Sequence, residues 1–554
     1  MLPDWDTSCL DWGQRLKDGR SIIPAPIFHE QAEQALYIFK MLKIVDAPGS
    51  PTFGENCANW VFDLVAYIFG SLDPDTNRRV VTEFFICLPK KNSKSTIAAG
   101  IMLTALILNQ RTSGEFAVIA PTLEVAGNAF SPARDMVSKD DDLVDLMQVQ
   151  THIKTITNRD TGATLKVIAA DANTVSGKKS IGTLVEELWL FGKQPNAEAM
   201  LREAVGGLAS RPEGFVIYVT TQSDDPPAGL FKQKLDYARN VRDGKIVDKG
   251  FLPVIFEHPD DMVASGEHLK WENLAMVNPN LGFSVDKQFL AREFKKAQMA
   301  GGDSFRGFLA KHGNVEIGLN LRSDRWAGAD FWQQQAIPTY SLEELIDKSD
   351  VIDIGVDGGG LDDLLGLAVV GRCSVTRRWL TWVHAWAHPS VLERRKQEAA
   401  RFLDFSNDGD LTLVDRIGDD VADVARLAFQ IEQSGKLDKI GVDPSGIGAI
   451  LDAMLEAGVP EEKIIGITQG WKLTGPIKTA ERKLAEGVLV HGGQPMMAWC
   501  ISNAKIEPRG NAVLITKQAS GSAKIDPLMA LLNAISLMSL NPETNTITQG
   551  FVSL

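Results

Sequence analysis

Apolar positions between residues 80 and 225 switch repeatedly between the period of a strand and the period of a helix. Four short runs are rich in β-branched and aromatic residues and are separated by stretches with helical spacing: RVVTEFFICLP, GEFAVIAPT, TLVEELWLF and GFVIYVTTQ. Strands that alternate with helices in this way predict a parallel sheet covered by helices, an α/β fold. Ahead of them, residues 1–45 are predicted to be helical, because EQAEQALYIFKMLKIV places apolar residues at helical spacing.

A second α/β pattern begins near residue 321. The runs VIDIGVDGG, LLGLAVVGR and RRWLTWVHAWA follow one another with short turns between them, which predicts a β-meander. Helical and strand patterns then alternate as far as a final hairpin, NAKIEPRGNAVLITK, which turns at Arg509-Gly510-Asn511. The last helix opens at Asp526-Pro527, with Asp526 predicted as its N-cap. We therefore predict a mixed sheet for this half of the chain.

The chain is too long for a single hydrophobic core, and its 554 residues divide where the pattern changes. Residues 1–255 hold the first α/β domain with its helical N-terminal segment. Residues 256–320 are more polar and mostly helical in pattern, and we predict a linker subdomain there. Residues 321–541 form the second α/β domain, and 542–554 are predicted to be a flexible tail.

Composition excludes several classes of protein. No apolar stretch is long enough to span a bilayer, and the acidic N-terminus lacks the basic region of a secretory signal, so we expect no membrane partner. The five cysteines are scattered without a C-x-x-C pair, which argues against a disulfide framework and against a zinc site. The net charge of −14 argues against passive coating of nucleic acid but allows a local patch that grips it transiently.

A lysine-rich loop, LPKKNSKST at residues 88–96, lies between the first predicted strand and a helix. It departs from the strict phosphate-loop pattern, because Leu88 and Ser93 stand at the two glycine positions. Backbone N–H groups at the helix start would still face a phosphate, with Lys94 reaching the β- and γ-phosphates of ATP and Ser95 holding Mg²⁺. The other predicted ATP-binding residues of this loop are Pro89, Lys90, Lys91, Asn92, Ser93 and Thr96. A basic turn before a core helix is the alternative interpretation.

Two further strand ends carry polar groups that an ATPase needs. The strand TLVEELWLF runs into Glu186 and Glu187. Glu186 would hold the coordination shell of the metal ion, and Glu187 would orient and polarise the attacking water. The strand GFVIYVTTQ ends in Thr221 and Gln222, where a hydroxyl or an amide could sense the γ-phosphate. Each pair alone is also typical of a solvated strand end. Their order after the lysine-rich loop favours the ATPase interpretation.

Three aspartates in the second half each stand at the end of a strand or the start of a helix. Asp357 follows the apolar run VIDIGV, Asp443 follows DKIGV, and Asp526 opens the last helix. Carboxylates that converge from two strands and one helix can hold two divalent ions about 3.5–4 Å apart, which activate water and stabilise the leaving oxygen in phosphodiester hydrolysis. Such hard oxygen ligands suit Mg²⁺ or Mn²⁺. Asp362 and Asp363 could supply a further carboxylate.

Taken together, these motifs resemble those of the large terminase subunit of tailed double-stranded DNA bacteriophages, over roughly Phe53 to Leu540. PKKNSKS resembles the family's deviant Walker A loop, IAPTLEVAGNAF the strand and helix after it, SGKKSIGTLVEELW its Walker B region, and VIYVTTQ its coupling motif. DIGVDGGGLDDLLGLAVV, IGVDPSGIGAILDA and KIDPLMALLNAI resemble the three nuclease motifs, with Asp357, Asp443 and Asp526 at the metal positions.

The resemblance implies a fold and a function. It implies an N-terminal P-loop ATPase of the RecA/ASCE-like type with a parallel sheet, followed by a ribonuclease H-like nuclease with a mixed sheet. Such a protein uses ATP and Mg²⁺ to translocate viral double-stranded DNA into a procapsid, and cuts concatemeric DNA by a two-metal mechanism in which Mn²⁺ could replace Mg²⁺. The implied partners are the portal protein, a small terminase subunit and further copies in a homo-oligomeric ring. The implied location is the cytoplasm of an infected bacterial host, transiently at the portal.

The sequence departs from the family pattern at three places. Ser93 stands where glycine is usual and Glu186 where aspartate is usual, and the adenine-contacting glutamine expected near Trp60 is not evident, because the next residue is Val61. The adenine contacts therefore stay unassigned. Arg134, in FSPARDMV, is the candidate for the arginine finger that the family supplies in cis or from a neighbouring subunit.

Three alternatives remain open at this point. A helicase-like translocase would carry a second RecA-like domain with an arginine-rich motif, whereas acids occupy the motif positions of residues 326–554. An integrase-like transposase would seldom carry a phosphate loop on the same chain. A portal-binding component with an inactive ATPase loop is compatible with the departures at Ser93 and Glu186.

Overall fold

A computed structural model gives the structure of the chain over most of its length. It describes residues 3–169, 180–194, 197–224, 226–316, 326–360, 363–396, 398–444, 448–510, 512–517 and 524–544. The chain forms two compact units, Met1–Ile317 and Gly318–Leu554. None of the helices within these ranges combines the length and the apolar character that crossing a membrane requires.

The first unit contains twelve α-helices and ten strands within the described residues. Its helices are α1 Trp12–Lys17, α2 His29–Met41, α3 Asn59–Phe69, α4 Lys94–Leu108, α5 Leu123–Ser138, α6 Asp141–Leu146, α7 Ala197–Gly206, α8 Gly229–Arg242, α9 Asp260–Ala264, α10 Trp271–Val277, α11 Lys287–Ala300 and α12 Gly302–His312. Its strands are β1 Leu72–Asp73, β2 Arg78–Arg79, β3 Glu83–Cys87, β4 Glu115–Ala120, β5 Met147–Gln150, β6 Thr155–Asn158, β7 Thr164–Ala169, β8 Ser180–Glu186, β9 Phe215–Thr220 and β10 Phe251–Ile255.

Eight of these strands form one sheet in the order β10-β3-β9-β8-β4-β7-β6-β5. The first six are parallel to one another, and β6 and β5 are added antiparallel at one edge. Strands β3, β8 and β9 are buried almost throughout, as expected for central parallel strands covered on both faces. The predicted parallel sheet and its four predicted strands are confirmed, whereas β5, β6 and β7 were not predicted because their runs are short and partly polar.

Residues 256–316, where the sequence predicts a linker subdomain, lie within the first unit. Helices α9–α12 belong to this segment. The segment has a small apolar core of its own, formed by Leu274, Val285, Leu290, Phe294, Ala297 and Phe308. Its division from the ATPase domain at residue 255 stays a prediction.

The second unit is built from nine helices and nine strands within the residues that the structure describes. Its helices are α13 Ala329–Trp332, α14 Leu342–Lys348, α15 Ser390–Arg394, α16 Ala399–Asn407, α17 Asp419–Gln433, α18 Gly448–Ala457, α19 Thr474–Ala485, α20 Pro495–Asn503 and α21 Asp526–Met538. Its strands are β11 Ser349–Gly358, β12 Leu365–Cys373, β13 Trp379–Ala387, β14 Leu411–Leu413, β15 Leu437–Val442, β16 Ile464–Gly466, β17 Leu489–His491, β18 Ala504–Arg509 and β19 Ala512–Lys517.

The sheet of the second unit is mixed, as predicted. Its strand order is β14-β13-β12-β11-β15-β16, with β17 pairing with β13. Strands β11, β12 and β13 are antiparallel neighbours and form the predicted meander, whereas β15 and β16 continue the sheet in parallel with β11. The predicted final hairpin is the antiparallel pair β18–β19. Most of the predicted tail at 542–554 lies outside the described residues.

Helix α21 lies directly against the central strand β11, and two glycines permit this close approach. A Cβ on Gly355 would lie 2.6 Å from the backbone nitrogen of Ala534, and a Cβ on Gly366 of β12 would lie 2.8 Å from the Cα of Pro527. Both distances are shorter than any ordinary contact, so a side chain at either position would separate helix from sheet. The packing fixes where the N-terminus of α21, and with it Asp526, meets the sheet.

Candidate functional site

The lysine-rich loop joins β3 to α4 and adopts a backbone conformation that usually needs glycine. Ser93, immediately before the helix, has φ 53°, and Lys91 has φ 72°. This left-handed region is unfavourable for residues with a Cβ and costs about 1–2 kcal/mol per residue. Ser93 therefore takes the glycine-like geometry of a phosphate loop although the glycine itself is absent.

Asn92 holds the loop in this shape from inside. Its side chain is fully buried, and its Nδ2 donates to the carbonyl of Pro89 at 3.2 Å and to Oδ1 of Asn278 at 3.0 Å. Its Oδ1 accepts from the backbone N–H of Asn280 at 3.0 Å, and its carbonyl accepts from Asn280 Nδ2 at 2.8 Å. Sequence analysis missed both partner asparagines. The polar triplet Asn-Pro-Asn within a mostly helical segment was the only local signal.

Lys94 and Ser95 open α4 and face the end of β8. Lys94 Nζ donates to the carbonyl of Pro89 at 3.1 Å. Burial lowers the pKa of Lys94, against the opposing charges of Glu187 and Glu186. Ser95 Oγ donates to Oε2 of Glu186 at 3.1 Å. The predicted loop and the predicted acidic strand end are thus in direct contact.

Glu186 is fully buried and only partly satisfied. Burial, together with the neighbouring charge of Glu187, raises the pKa of Glu186 to about 8. Its Oε2 accepts the Ser95 hydroxyl, whereas its Oε1 has no hydrogen-bond partner among the described residues. A buried carboxylate oxygen without a partner beside a hydroxyl oxygen is a donor set that fits Mg²⁺, which binds such groups together with phosphate and water oxygens.

Glu187 and Thr221 stand at the same edge of the sheet. Glu187 has φ 51° and accepts a hydrogen bond at its Oε2 from Trp189 Nε1 at 2.6 Å. Thr221 and Gln222 follow β9, which lies between β3 and β8, and both are fully buried. Neither side-chain atom of Gln222 has a hydrogen-bond partner among the described residues. The carboxyl ends of parallel strands share one edge, so the predicted ATPase residues come together there.

Other predicted ATPase residues have different surroundings. The backbone N–H of Lys90 donates to the carbonyl of Lys311 at 2.7 Å, and the carbonyl of Lys91 accepts from Ser284 Oγ at 2.8 Å. Arg134 lies on α5 and donates from Nε to Oδ1 of Asp135 at 2.7 Å. Its role as an arginine finger stays a prediction.

A cavity of about 240 Å³ opens beside the first turn of α4. One side is formed by the loop and helix residues Ser93, Thr96 and Ile97. The rest of the wall includes Phe53, Asn56 and Phe283, of which Phe283 is half exposed. Trp60 is not part of this wall, and its Nε1 donates to Oδ1 of Asn280 at 2.8 Å.

In the second unit, two of the three predicted aspartates extend from neighbouring strands. Asp357 is the penultimate residue of β11, and Asp443 directly follows β15. The two strands are parallel, with Val356 opposite Val442, so the two aspartates occupy matching positions at one edge. A Cβ on Gly358 would lie 3.2 Å from the Cβ of Asp526, which places the start of α21 against the end of β11.

Asp526 is the first residue of α21, and its prediction as the N-cap is wrong. The N-cap is Ile525, whose carbonyl accepts the backbone N–H of Met529 at 2.9 Å, and no side chain caps this end. The carboxyl of Asp526 instead faces other acids. Its pKa is raised well above the usual value by burial, by Asp363 and by Asp357.

One buried cation lies among these acids. Lys524 is fully buried, and its Nζ forms an ion pair with Oδ1 of Asp363. Sequence analysis named Asp363 but missed Lys524, because the two residues are 161 positions apart in the sequence. Asp362 lies outside the described residues.

Oδ2 of Asp526 is buried without a hydrogen-bond partner, so an oxygen ligand is available where Asp357 and Asp363 are close. These hard oxygen donors fit a divalent cation such as Mg²⁺. Within the described ranges, however, no group of three or more His, Cys, Asp and Glu side chains is arranged to hold a metal ion. The metal set Asp357, Asp443 and Asp526 stays a prediction.

Comparison with known proteins gives matches along most of the chain. The family model for the terminase large subunit, ATPase domain, matches residues 60–240, and that for the terminase large subunit, endonuclease domain, matches residues 247–541. The large terminase subunit of Enterobacteria phage HK97 is 23% identical over 466 residues, which are 81% of this chain and 85% of that protein. The large subunit of Lactococcus phage p2 is 22% identical over 474 residues, 83% of this chain and 82% of that one.

Among solved structures, the crystal structure of the HK97 bacteriophage large terminase aligns with a TM-score of 0.47 and 18% identity. The alignment covers 92% of this chain and 99% of the HK97 chain. The two family matches confirm the resemblance noted in the sequence. They also confirm the fold class predicted with it, an ATPase domain followed by a ribonuclease H-like nuclease domain.

Proposed function

The chain belongs to the terminase large subunit family, and from this membership we propose which of its residues carry out ATP hydrolysis and DNA cleavage. The protein is an ATPase and an endonuclease of viral DNA packaging. A helicase-like translocase and a transposase are thereby excluded, because neither would match both family models. The assignments below are to individual side chains.

We assign the ATPase site to the edge of the first sheet where the Ser95 hydroxyl meets the Glu186 carboxylate at 3.1 Å. This contact is the observation that carries the proposal. Bound Mg²⁺ would supply charge neutralisation at the phosphates of ATP, and Ser95 and Glu186 would hold it. Lys94 binds the β- and γ-phosphates, and the loop Pro89 to Ser93 surrounds them, with backbone N–H groups supplied by Lys91, Asn92 and Ser93.

Glu187 is the proposed general base of ATP hydrolysis. It is adjacent to Glu186 but is held differently, since one of its oxygens accepts the Trp189 N–H at 2.6 Å. The other oxygen is available to orient and polarise a water molecule for attack on the γ-phosphate. Thr221, buried directly after the neighbouring strand β9, would respond to the presence of that phosphate.

The cavity beside α4 is the proposed site of the nucleoside. Thr96 and Ile97 line it from the first turn of α4, next to Ser93, which is where the ribose and base of a nucleotide bound at Lys94 would extend. Phe283 offers an aromatic face for stacking on the base. This assigns the adenine contacts that the sequence left unassigned.

The nuclease site is proposed at Asp357, Asp443 and Asp526. The matched positions of Asp357 and Asp443 on parallel strands, and the unpartnered oxygen of Asp526 close to Asp357, support it. Two divalent ions held there would activate water and stabilise the leaving oxygen of a phosphodiester. Mg²⁺ is the proposed metal, and Mn²⁺, another hard cation, is proposed to replace it.

The remaining assignments concern the assembly. We propose that the protein acts on viral double-stranded DNA as a homo-oligomeric ring, transiently bound to the portal of the procapsid in the cytoplasm of the infected host. A small terminase subunit would select the DNA. Arg134 would complete the ATPase site in cis or from a neighbouring subunit.

The ATPase assignment is tested by steady-state ATP turnover of the full-length protein with DNA. Lys94→Ala and Glu187→Gln are each expected to lower kcat by about 100-fold or more, because positioning and electrostatic stabilisation supply most of this catalysis. Lys296→Ala is the matched control, since Lys296 is exposed and pairs with Glu293. Turnover that survives both substitutions would show that the site is elsewhere.

The nuclease assignment is tested by nicking of supercoiled plasmid in Mg²⁺ or Mn²⁺. Asp357→Asn and Asp443→Asn should each abolish nicking while ATP turnover is preserved. Asp452→Asn, a change at an exposed position of α18, should leave nicking unchanged. Metal-dependent nicking by both aspartate variants at the rate of the unaltered protein would refute the assignment.

A further inference from the structure

Lys311, in the last turn of α12, reaches from the segment 256–316 into the ATPase site. It is almost fully buried, and its Nζ donates to the carbonyl of Gln222 at 3.0 Å. Its own carbonyl accepts the backbone N–H of Lys90 at 2.7 Å. One residue therefore contacts both the phosphate loop and the end of β9, although none of the sequence motifs includes it.

The ammonium group of Lys311 also lies against an aromatic ring. Its Nζ is 3.4 Å from the centroid of the Trp189 ring. The Trp189 indole donates its Nε1–H to Oε2 of Glu187 at 2.6 Å, and the backbone N–H of Trp189 donates to Thr220 Oγ1 at 3.0 Å. A chain of contacts thus runs from Lys311 through Trp189 to the proposed general base.

Each link in this chain has a physical effect on the next. A cation over the face of an indole is attracted by the ring and draws electron density from it, which strengthens the N–H as a donor. A carboxylate held at one oxygen by a strong donor keeps its other oxygen directed at the water, as a third group orients the base in other hydrolytic sites. The backbone of Glu187 occupies the left-handed region at φ 51°, a strained conformation of the kind found at active sites.

We propose that Lys311 is a positioning residue of the ATPase, which acts through the Trp189 indole to fix the orientation of the Glu187 carboxylate. This inference rests on the proposed role of Glu187 as the general base. Lys193 also lies over the Trp189 ring, but at 5.8 Å from the centroid and half exposed, so its charge is more strongly screened. Asp224, 3.8 Å from the Lys311 ammonium, forms an ion pair with it and helps to hold it in place.

The test is a double-mutant cycle on ATP turnover by the full-length protein. Lys311→Met keeps the length of the side chain and removes the charge, and Trp189→Phe keeps a ring and removes the N–H. Each substitution should lower kcat by about tenfold, which is part of the rate enhancement that a well-placed general base supplies. KM for ATP should change by less than about twofold. Lys311→Arg keeps the cation and should retain at least half of the activity, whereas Lys296→Met, at an exposed lysine, should have no effect.

The cycle also shows whether Lys311 acts through Trp189. In the Trp189→Phe background, Lys311→Met should lower kcat no further, since the N–H that it strengthens is already absent. A tenfold loss in that background as well, or a Lys311→Met variant with unchanged kcat, would overturn the inference. If Lys311→Met does not fold, equal kcat in the Trp189→Phe and unaltered proteins would overturn it in the same way.

Failure of this inference is distinguishable from failure of the proposed function. If Glu187→Gln keeps full turnover, Glu187 is not the base and the proposed function is wrong at that residue. If Glu187→Gln loses turnover while Lys311→Met and Trp189→Phe keep it, only the positioning role is wrong.

Discussion

Gly355→Ala tests whether the packing of α21 on β11 positions the nuclease site. The added Cβ would overlap the carbonyl oxygen of Ala530 and lie 2.6 Å from the Ala534 nitrogen, against 3.4 Å for an ordinary contact, so helix and strand must separate by more than 0.8 Å. The atoms that the added Cβ would meet belong to the backbone of α21, so rotation of a single side chain cannot relieve the strain. Overpacking of this kind costs about 1–3 kcal/mol of stability. It would also move Asp526, on α21, relative to Asp357, on β11.

A displacement near 1 Å within a catalytic site lowers the rate by about 100-fold. Plasmid nicking by Gly355→Ala should fall by that amount, while ATP turnover, measured on the same preparation, should stay within twofold. Gly475→Ala is the matched control, because Gly475 lies in a helix of the same unit with no atom within 4 Å of the added methyl. Normal nicking by a folded Gly355→Ala protein would refute the argument that this contact places Asp526.

Three further outcomes follow from single side chains. Asn92→Ala leaves the backbone N–H of Asn280 without its buried partner, and should lower the free energy of unfolding of the first unit by about 1–3 kcal/mol in urea titration. Phe283→Ala should raise KM for ATP severalfold with little change in kcat, because stacking on the base is the same in ground and transition states. Burial and the charge of Asp438 raise the pKa of Asp353 to about 8 from 3.8, so the folded chain keeps a proton that the unfolded chain has lost. The free energy of unfolding should therefore fall as pH rises from 4 to 8. The fall should be smaller in Asp353→Asn, and urea unfolding midpoints measured across that pH range check both expectations.

The strands were predictable where their pattern is local and strong. Strands β3, β8 and β9 are apolar runs, and each forms a strand in the structure. The meander of the second unit was equally visible, because its three runs follow one another directly. Strands β5 and β6 carry the runs MQVQ and TITN, whose alternation is too short and too polar to distinguish from a loop.

The supporting residues of both sites were not predictable from local pattern. Asn280 binds Asn92 across 188 residues of sequence, and Lys311 binds Gln222 across 89. Lys524 pairs with Asp363 across 161. Their roles depend on contacts that form only when the chain has folded. A single asparagine or lysine does not change the hydrophobic pattern around it, so the sequence pattern does not reveal such a role. The prediction of Asp526 as an N-cap failed for a related reason, since its carboxyl is directed to distant acids rather than to its own helix.

The surroundings of the phosphate loop explain how it keeps its shape without glycine. The left-handed backbone at Lys91 and Ser93 costs about 1–2 kcal/mol at each residue. The four hydrogen bonds that Asn92 makes to Pro89, Asn278 and Asn280 are buried, and each contributes about 0.5–1.5 kcal/mol. The two sums are of the same size, so the asparagine network is sufficient to offset the backbone strain. The serine at position 93 is therefore no evidence of an inactive loop. Asn92→Ala should impair ATP turnover as well as stability, although the Asn92 side chain is bonded within the protein to Pro89, Asn278 and Asn280.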